Sequence, residues 1–375
     1  RVLFCSNNPF AVLPPVLGEC PALCQVGFRD CRIREVPAEA LPPDLRWLTL
    51  TGNRIAVLPD AIGRRPRLRK LMLAGNRIAA LPESLAGAAE LELLRLAGNR
   101  LDELPPWLAD LPALAWLAWS GNPFEPVRPV RPVREGARSV PATELAIGAV
   151  LGRGASGTVH RAAWTQGGGS NPVPVAVKRF GGDRVGSDGA PEHERAAALA
   201  AGDHPCLVGT LGQVEGGAFD GALLMPLVPD GWEVLAAPPS FESCSRDVYA
   251  ADRRFTPGVA ARIAADAAAA MAHLHGAGLL HGDLYGHNLF VDPRTGAARL
   301  GDLGAASFLP AGADAARWRA LDVRAWGILA GELIERCDAP PPALCSLRDA
   351  CLQTDGRIRP DAVMVAAEAR RSAER

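Results

Sequence analysis

Four short segments of the chain carry residue types that could bind a phosphate group and transfer it. A glycine-rich segment, Gly-Arg-Gly-Ala-Ser-Gly-Thr-Val, spans 152–159, and Val-Ala-Val-Lys spans 175–178. Two polar segments follow, His-Gly-Asp-Leu-Tyr-Gly-His-Asn at 281–288 and Asp-Leu-Gly at 302–304. Glycines let backbone N–H groups approach phosphates, lysine adds a positive charge, and Asp and Asn oxygens suit Mg²⁺. The four segments together indicate phosphoryl chemistry.

The order and spacing of these segments resemble the glycine loop, ATP-binding lysine, catalytic loop and magnesium loop of protein kinases. The resemblance covers roughly residues 144–367 and implies a bilobal α+β domain that binds ATP and Mg²⁺. A dinucleotide site can also use G-x-G-x-x-G, but a helix should then follow the glycines. Here two β-type runs follow, His160–Trp164 and Val173–Val177, which favours the kinase interpretation.

The resemblance assigns the chemical step to the two polar segments. Asp283 is expected to accept the proton of the substrate hydroxyl and to orient that hydroxyl for attack. Asn288 and Asp302 are the expected Mg²⁺ ligands. His281 is expected to pack beneath the loop rather than to transfer protons.

Lys178 is expected to contact the ATP phosphates and to need a carboxylate partner. The helix predicted at about 191–201 offers Glu194 and Glu192. The family places this glutamate some nine residues before a His-Pro pair, and Glu194 lies ten before His204. Glu194 is therefore the first candidate and Glu192 the second.

The remaining nucleotide contacts are expected from the glycine loop, from the strand before Lys178 and from the apolar segment 223–228 that would join the lobes. Proline at 226 lacks an N–H group, which leaves Val228 as the donor to the base. The expected nucleotide-binding residues are Gly152, Gly154, Gly157, Val159, Ala176, Met225 and Val228.

Several positions depart from the kinase pattern. Gly282 replaces the arginine of His-Arg-Asp, and Tyr285 stands where serine/threonine kinases usually carry a phosphate-contacting lysine. The segment between Asp302 and Asp322 is short, has no Ala-Pro-Glu, and contains Ser307 as its only hydroxyl residue. Because the loop arginine is missing, we expect basal activity that does not depend on phosphorylation of this segment.

The elements that precede these motifs form a different pattern. The frame L-x-x-L-x-L-x-x-N/C-x-L recurs every 23 residues, once after 22, starting at Leu23, Leu45, Leu68, Leu91 and Leu114. With a partial unit before Leu23, six units resembling leucine-rich repeats are visible. Such units must stack to bury their leucines, so an α/β solenoid is predicted over residues 1–124. The segment 237–249 and the sequence His-Gly-Asp-Leu-Tyr at 281–285 add to this resemblance. With the repeats before them, they make the chain similar to cytosolic kinases that carry N-terminal leucine-rich repeats.

Strand alternation sorts the repeat side chains by face. With Leu48 and Leu50 inward, the alternating side chains of Trp47, Thr49 and Thr51 point to the concave surface, and so do the equivalent positions of the other repeats. We expect that surface to bind a protein substrate or partner. Its candidate contact residues are Trp47, Lys70, Met72, Arg95 and Trp116.

A linker is predicted between the two domains, at residues 125–143, with proline at every third position of 126–132. Such a run favours an extended, semi-rigid polyproline II spacer. It is too polar to span a membrane, so both domains should lie on one side, in the cytoplasm. Residues 368–375 are predicted to be a C-terminal tail.

The bulk composition limits the function classes. Among 375 residues the net charge is −1, which gives no indication of nucleic-acid binding. No stretch approaches the roughly 18 apolar residues of a membrane helix. Nine cysteines lack zinc-like spacing. The leading hypothesis is an ATP-dependent protein kinase, serine/threonine-directed; a small-molecule phosphotransferase and an inactive kinase-fold scaffold are the alternatives.

Overall fold

The computed structural model describes residues 1–125, 138–154, 156–182, 185–310 and 315–374. Most of the predicted linker, residues 126–137, lies outside the described residues. The described chain forms an N-terminal repeat domain followed by a domain with two lobes.

The repeat domain is built on one parallel sheet of six three-residue strands in chain order. Short 3₁₀ helices return the chain between strands, as at Asp60–Arg64. The strands are β1 to β6: Val2–Phe4, Gln25–Gly27, Trp47–Thr49, Lys70–Met72, Leu93–Arg95 and Trp116–Ala118. The predicted solenoid is confirmed.

Repeated asparagines explain why the units stack in register. The Asn53 side chain accepts hydrogen bonds from the backbone N–H groups of Cys31 and Ile33, at 3.1 and 2.9 Å. Its amide nitrogen donates to the carbonyls of Phe28 and Leu50, at 2.7 and 2.8 Å. Each buried asparagine thus satisfies backbone groups of its own and the preceding unit, which the inward leucines alone could not do.

The small lobe consists of a six-stranded sheet and one helix. The spatial order of its strands is β7-β11-β12-β10-β9-β8, antiparallel except between β7 and β11. Strands β7 to β12 are Arg138–Pro141, Leu145–Gly154, Gly157–Trp164, Val173–Phe180, Gly212–Glu215 and Leu223–Pro226. Helix α1, Pro191–Ala201, has the predicted bounds. Because β7 pairs in this sheet, residues 138–141 belong to the lobe and not to a linker.

The large lobe is mainly helical. Its helices α2 to α5 are Pro257–Gly276, Ala315–Ile334, Pro342–Cys351 and Ala362–Ala373. Its short strands β13 to β17 are Glu233–Val234, Leu279–Leu280, Leu289–Val291, Ala298–Leu300 and Ser307–Phe308. The predicted tail from residue 368 is corrected here: α5 continues to Ala373 and packs on α2, with Ala369 fully buried.

The repeat domain and the large lobe share a hydrophobic core. Trp116 is 1 % exposed and packs within the large-lobe core, where its ring stacks on Tyr285 at 4.1 Å. Trp119 is fully buried and contacts Trp318 of α3, with ring centroids 5.5 Å apart. Such buried aromatic pairs dominate the energetics of a contact. The two domains are therefore packed together rather than tethered.

This contact corrects the predicted partner surface. Residues expected to bind another protein instead face the chain's own second domain. Arg95 contacts the loop at 281–288, Met72 packs on the large-lobe core, and Trp47 contacts Phe241 at 5.6 Å. Lys70 lies 4.1 Å above the Trp47 ring. The sequence pattern identifies the exposed face of an isolated repeat, but not what covers that face.

Candidate active site

A cavity of about 580 Å³ lies between the two lobes. Its walls come from β8 to β10, α1, the end of β12 and the loops around β15 and β16. The predicted site residues that line it are Gly152, Val159, Ala176, Lys178, Glu194, Met225, Val228, Asn288 and Asp302. Folding thus collects residues that lie up to 150 positions apart in the sequence.

Lys178 at the end of β10 forms an ion pair with Glu194 of α1. Both side chains are largely buried, 14 % and 5 % exposed. Burial raises the pKa of Glu194, although the nearby lysine opposes this shift. Glu192, the second candidate, does not make this pair, so the structure selects Glu194 as the partner of Lys178.

The back of the cavity is formed by neighbouring strands. Ala176 of β10 and Met225 of β12 are directly paired across the antiparallel ladder. Pro226 lies opposite Val175 and is the last residue of β12. The strand ends there because proline has no N–H group to donate to the neighbouring strand. Val228 comes just after this strand and lines the cavity.

The glycine segment forms the turn of the β8–β9 hairpin, and Ala155 lies outside the described residues. Gly152 pairs with Val159, and both line the cavity. Gly154 pairs with Gly157 nearer the turn, and neither lines the cavity. A Cβ atom at Gly157 would lie 2.2 Å from the Arg179 carbonyl oxygen, so β10 itself requires glycine there.

Asp283 lies behind Asn288 as seen from the cavity, and it is not among the lining residues. The Asn288 side-chain nitrogen donates to the Asp283 carbonyl and to its Oδ2, both at 2.8 Å. These bonds use the amide hydrogens of Asn288 and leave its Oδ1 as an oxygen ligand. Asp302 also lines the cavity, with a φ of +50°.

The oxygens of Asn288 and Asp302 fit Mg²⁺ bound together with phosphates. Mg²⁺ in nucleotide sites commonly takes one or two protein oxygens, with phosphates and water completing its shell. Within the described residues no cluster of three or more His, Cys, Asp or Glu could hold a metal by itself. The donor set therefore suits a metal that arrives with its nucleotide.

Comparison with known families agrees with this geometry. The model described as protein tyrosine and serine/threonine kinase matches residues 145–320. The leucine-rich repeat model matches residues 43–101 and 66–124. The chain joins leucine-rich repeats to a protein-kinase domain. No curated protein matches the chain. Among the helices of the described ranges, none is long and apolar enough to cross a membrane.

The loop at 281–288, the predicted catalytic loop, is anchored from α3. Asp322 is fully buried and accepts hydrogen bonds from the backbone N–H groups of His281 and Gly282, at 2.8 and 3.0 Å. The His281 ring lies 3.1 Å from the Gly301 carbonyl and is itself buried. These contacts fix the loop from below and agree with the structural role expected for His281.

The 237–249 segment holds the same loop from the side. Asp247, whose side chain is fully buried, binds the backbone N–H of His287 at 3.0 Å and its Nδ1 at 2.6 Å. Burial opposes protonation of His287, but its bond to Asp247 and the charge of Asp283 outweigh burial and raise its pKa. The sequence did not identify His287 or Asp247, because a role for the segment could not be inferred from residue types.

Arg359-Pro360 resembles the late part of the protein-kinase pattern, where an arginine normally pairs with the glutamate of Ala-Pro-Glu. Here Arg359 bonds backbone carbonyls instead. Arg359 donates to the carbonyls of Gln353, Ala320 and Thr354, at 2.7, 2.8 and 3.3 Å. Burial lowers its pKa to about 10. It therefore ties α3 to the loop after α4 without the glutamate that Ala-Pro-Glu would provide.

Arg95, a predicted contact residue for a partner protein, lies instead at the loop 281–288. Its side chain is 2 % exposed, forms an ion pair with Asp283, and donates to the Gly282 carbonyl at 2.9 Å. Burial would raise the pKa of Asp283, but the charges of Arg95 and His287 outweigh it and the pKa is lowered. No local sequence signal pairs residue 95 with residue 283. The missing cations at Gly282 and Tyr285 were the only indication that another segment contacts this loop.

Proposed function

We propose that the chain transfers the γ-phosphoryl group of ATP to a serine or threonine hydroxyl of a protein. The observation that carries this proposal is the convergence of four predicted segments on one cavity. There the Lys178–Glu194 pair faces Asn288 and Asp302 across the space for a nucleotide. Asp283 lies directly behind Asn288.

In the proposed reaction, the acceptor oxygen attacks the γ-phosphorus while the bond to the β-phosphate oxygen breaks. Asp283 takes the acceptor proton, and ADP leaves. Lys178, held by Glu194, orients the α- and β-phosphates. Asn288 and Asp302 would hold Mg²⁺, which when bound neutralises phosphate charge. Gly152 and Val159 cover the nucleotide, and Ala176, Met225 and Val228 surround its base.

A small acceptor molecule is the second candidate, and one observation favours it. The Asp283 side chain is only 15 % exposed, and it lies against Arg95, which also pairs with Asp188 of the loop before α1. A protein hydroxyl must reach this carboxylate on an extended segment, whereas a small alcohol needs less room. Leucine-rich repeats typically bind proteins, which keeps a protein acceptor as the first candidate. Cytoplasmic location stays a prediction.

The test uses radiolabelled ATP with separate pools of protein and metabolite acceptors. Lys178→Met and Asp283→Ala should each lower transfer by at least about 10²-fold, since they remove phosphate positioning and the base. Asp283→Ala should retain Mg-ATP binding, whereas Lys178→Met should weaken it. Glu192→Gln is the matched control, because Glu192 lies two residues before Glu194 on the exposed face of α1, outside the ion pair. Transfer that persists in both site variants would refute the assignment, and label found only on metabolites would favour the second candidate.

A further inference from the structure

The side chain of Arg95 joins three segments that are far apart in the sequence. It extends from β5 of the repeats. Its Nε donates to Asp188 of the loop before α1 at 2.7 Å, and one terminal nitrogen donates to the Gly282 carbonyl at 2.9 Å. The other terminal nitrogen pairs with Oδ1 of Asp283. A buried guanidinium therefore connects the repeats with both lobes.

These contacts fix the Asp283 carboxylate from two sides. Arg95 holds Oδ1, and Asn288 donates to Oδ2 at 2.8 Å. A guanidinium carries five N–H donors in a rigid planar arrangement. It can therefore bond a carbonyl and two carboxylates at once, whereas an ammonium acts as a mobile point charge. The rotamer of Asp283 is set by this arrangement.

Positions 282 and 285 of the loop at 281–288, where protein kinases usually carry an arginine and a lysine, cannot supply such a guanidinium. Residue 282 is glycine with a φ of +70°, and a Cβ there would lie 2.4 Å from the Leu117 carbonyl oxygen of the repeats. Residue 285 is tyrosine, whose ring stacks on Trp116 and whose hydroxyl donates to the Ser245 carbonyl at 3.0 Å. Both positions are occupied by contacts with the repeats or with the 237–249 segment. The cation comes instead from residue 95.

The contact between the repeats and the loop at 281–288 lies within the shared hydrophobic core of the two domains. Trp116 and Trp119 are 1 % and 0 % exposed, and the core of the repeats extends to Leu280 and Leu321 of the large lobe. Lifting the repeats from the loop would expose these side chains to water. This argues against Arg95 as part of a reversible inhibitory cover.

We propose that Arg95 is a positioning residue of the phosphoryl-transfer site, through which the repeat domain holds the carboxylate of Asp283 in its reactive orientation. The inference rests on the proposed function. It assigns the repeats a part in the reaction itself, in addition to any binding of partners.

The experiment compares Arg95→Met, Arg95→Lys and the matched control Arg100→Met, an exposed arginine in the same repeat. The acceptor is dephosphorylated casein with radiolabelled Mg-ATP, and slow ATP hydrolysis is followed in parallel. Arg95→Met should lower kcat by at least about 10²-fold while the KM for ATP and the affinity for a fluorescent ATP analogue change less than about threefold. Arg95→Lys should recover part of the loss, since it restores charge without the planar geometry. Arg100→Met should match the parent protein.

Two outcomes overturn the inference. One is unchanged or increased kcat in Arg95→Met, which would identify a structural or inhibitory contact. The other is a loss of kcat and nucleotide binding in equal proportion, which would indicate partial unfolding. If Arg95→Met does not fold, Arg95→Met/Asp188→Asn removes one of the two carboxylates left unpaired, and the same criteria apply to it. Asp283→Asn separates the two proposals: an active Asp283→Asn variant contradicts the proposed function, whereas an inactive one beside a fully active Arg95→Met contradicts only the role of Arg95.

Discussion

Replacing Trp119 by alanine tests whether the repeats and the large lobe form one folding unit. Trp119 is fully buried, its ring N–H donates to the Phe308 carbonyl at 3.3 Å, and it packs on Trp318. Burial of about 150–250 Å² at about 25 cal/mol/Å² is worth about 4–6 kcal/mol. Because alanine retains a small part of this, we expect a loss of about 4–5 kcal/mol, within the range for large aromatic truncations.

The size of the Tm change distinguishes the two folding models. The repeats and the large lobe together comprise roughly 270 residues, whose unfolding entropy is about 0.57 kcal/mol/K. A single transition should therefore fall by about 8 °C. The repeats alone, roughly 124 residues with about 0.26 kcal/mol/K, would fall by about 17 °C and leave the large lobe unchanged.

The measurement is thermal unfolding followed by tryptophan fluorescence and by binding of a fluorescent ATP analogue. Phe28→Ala is the matched control, because Phe28 is 1 % exposed in the repeats and packs on Phe10, away from the kinase domain. Both variants should lower one shared transition, and both signals should be lost together. Two separate transitions, with Phe28→Ala and Trp119→Ala moving only the one that belongs to the repeats, would refute the shared core.

Three further predictions follow from burial and charge. Leu48→Ala, at a fully buried position, should lower the free energy of unfolding by about 2–5 kcal/mol. Trp47→Ala, at a half-buried position, should lower it by less than about 2 kcal/mol. Equal losses in chemical denaturation would show that Leu48 and Trp47 do not face opposite sides of β3. Burial raises the pKa of Glu332 to about 7, so the folded state binds its proton more tightly and stability should fall as pH rises from about 4.5 to 7, by at most about 3 kcal/mol. Glu332→Gln should flatten that part of the pH–stability curve, and an unchanged curve would contradict the assignment. Phosphatase treatment should leave the transfer rate unchanged, since Ser307 is fully buried and its Oγ accepts a hydrogen bond from the backbone N–H of Trp119 at 3.0 Å. A large loss of rate would show control by phosphorylation.

Features that depend on local residue order could be predicted from the sequence. The repeat frame gave the strand positions, since leucine and asparagine spacing determines both the inward face and the turn. Helix α1 begins at Pro191 and ends at Ala201 as predicted, because proline suits the first turn and the residues before Gly202 favour a helix. The choice between Glu192 and Glu194 needed the structure, since only helix orientation decides which carboxylate faces β10.

Features that depend on contact between distant segments could not be predicted. The sequence identified Arg95 and Trp116 as outward-facing but contained no information on what would cover them. The kinase resemblance ends at residue 367 and so predicts a tail from residue 368, whereas Ala369 and Ser372 are buried. The role of Asp247 could not be predicted either, because Asp247 bonds His287, which lies 40 positions away in the sequence.

The departures from the kinase pattern and the contacts of the repeats coincide in space. Gly282 leaves room for the Leu117 carbonyl, Tyr285 stacks on Trp116, and Ser307 bonds the backbone of Trp119. Gly282 and Tyr285, two positions at which the kinase domain lacks the family residue, thus touch the last repeat, and so does Ser307 of the shortened segment. The two sets compensate each other, because a side chain at 282 would collide with the Leu117 carbonyl and an isolated kinase domain would lack the guanidinium of Arg95 beside Asp283. The repeats and the loop at 281–288 therefore constitute one structural unit, and the proposed role of Arg95 extends this unit to the reaction chemistry.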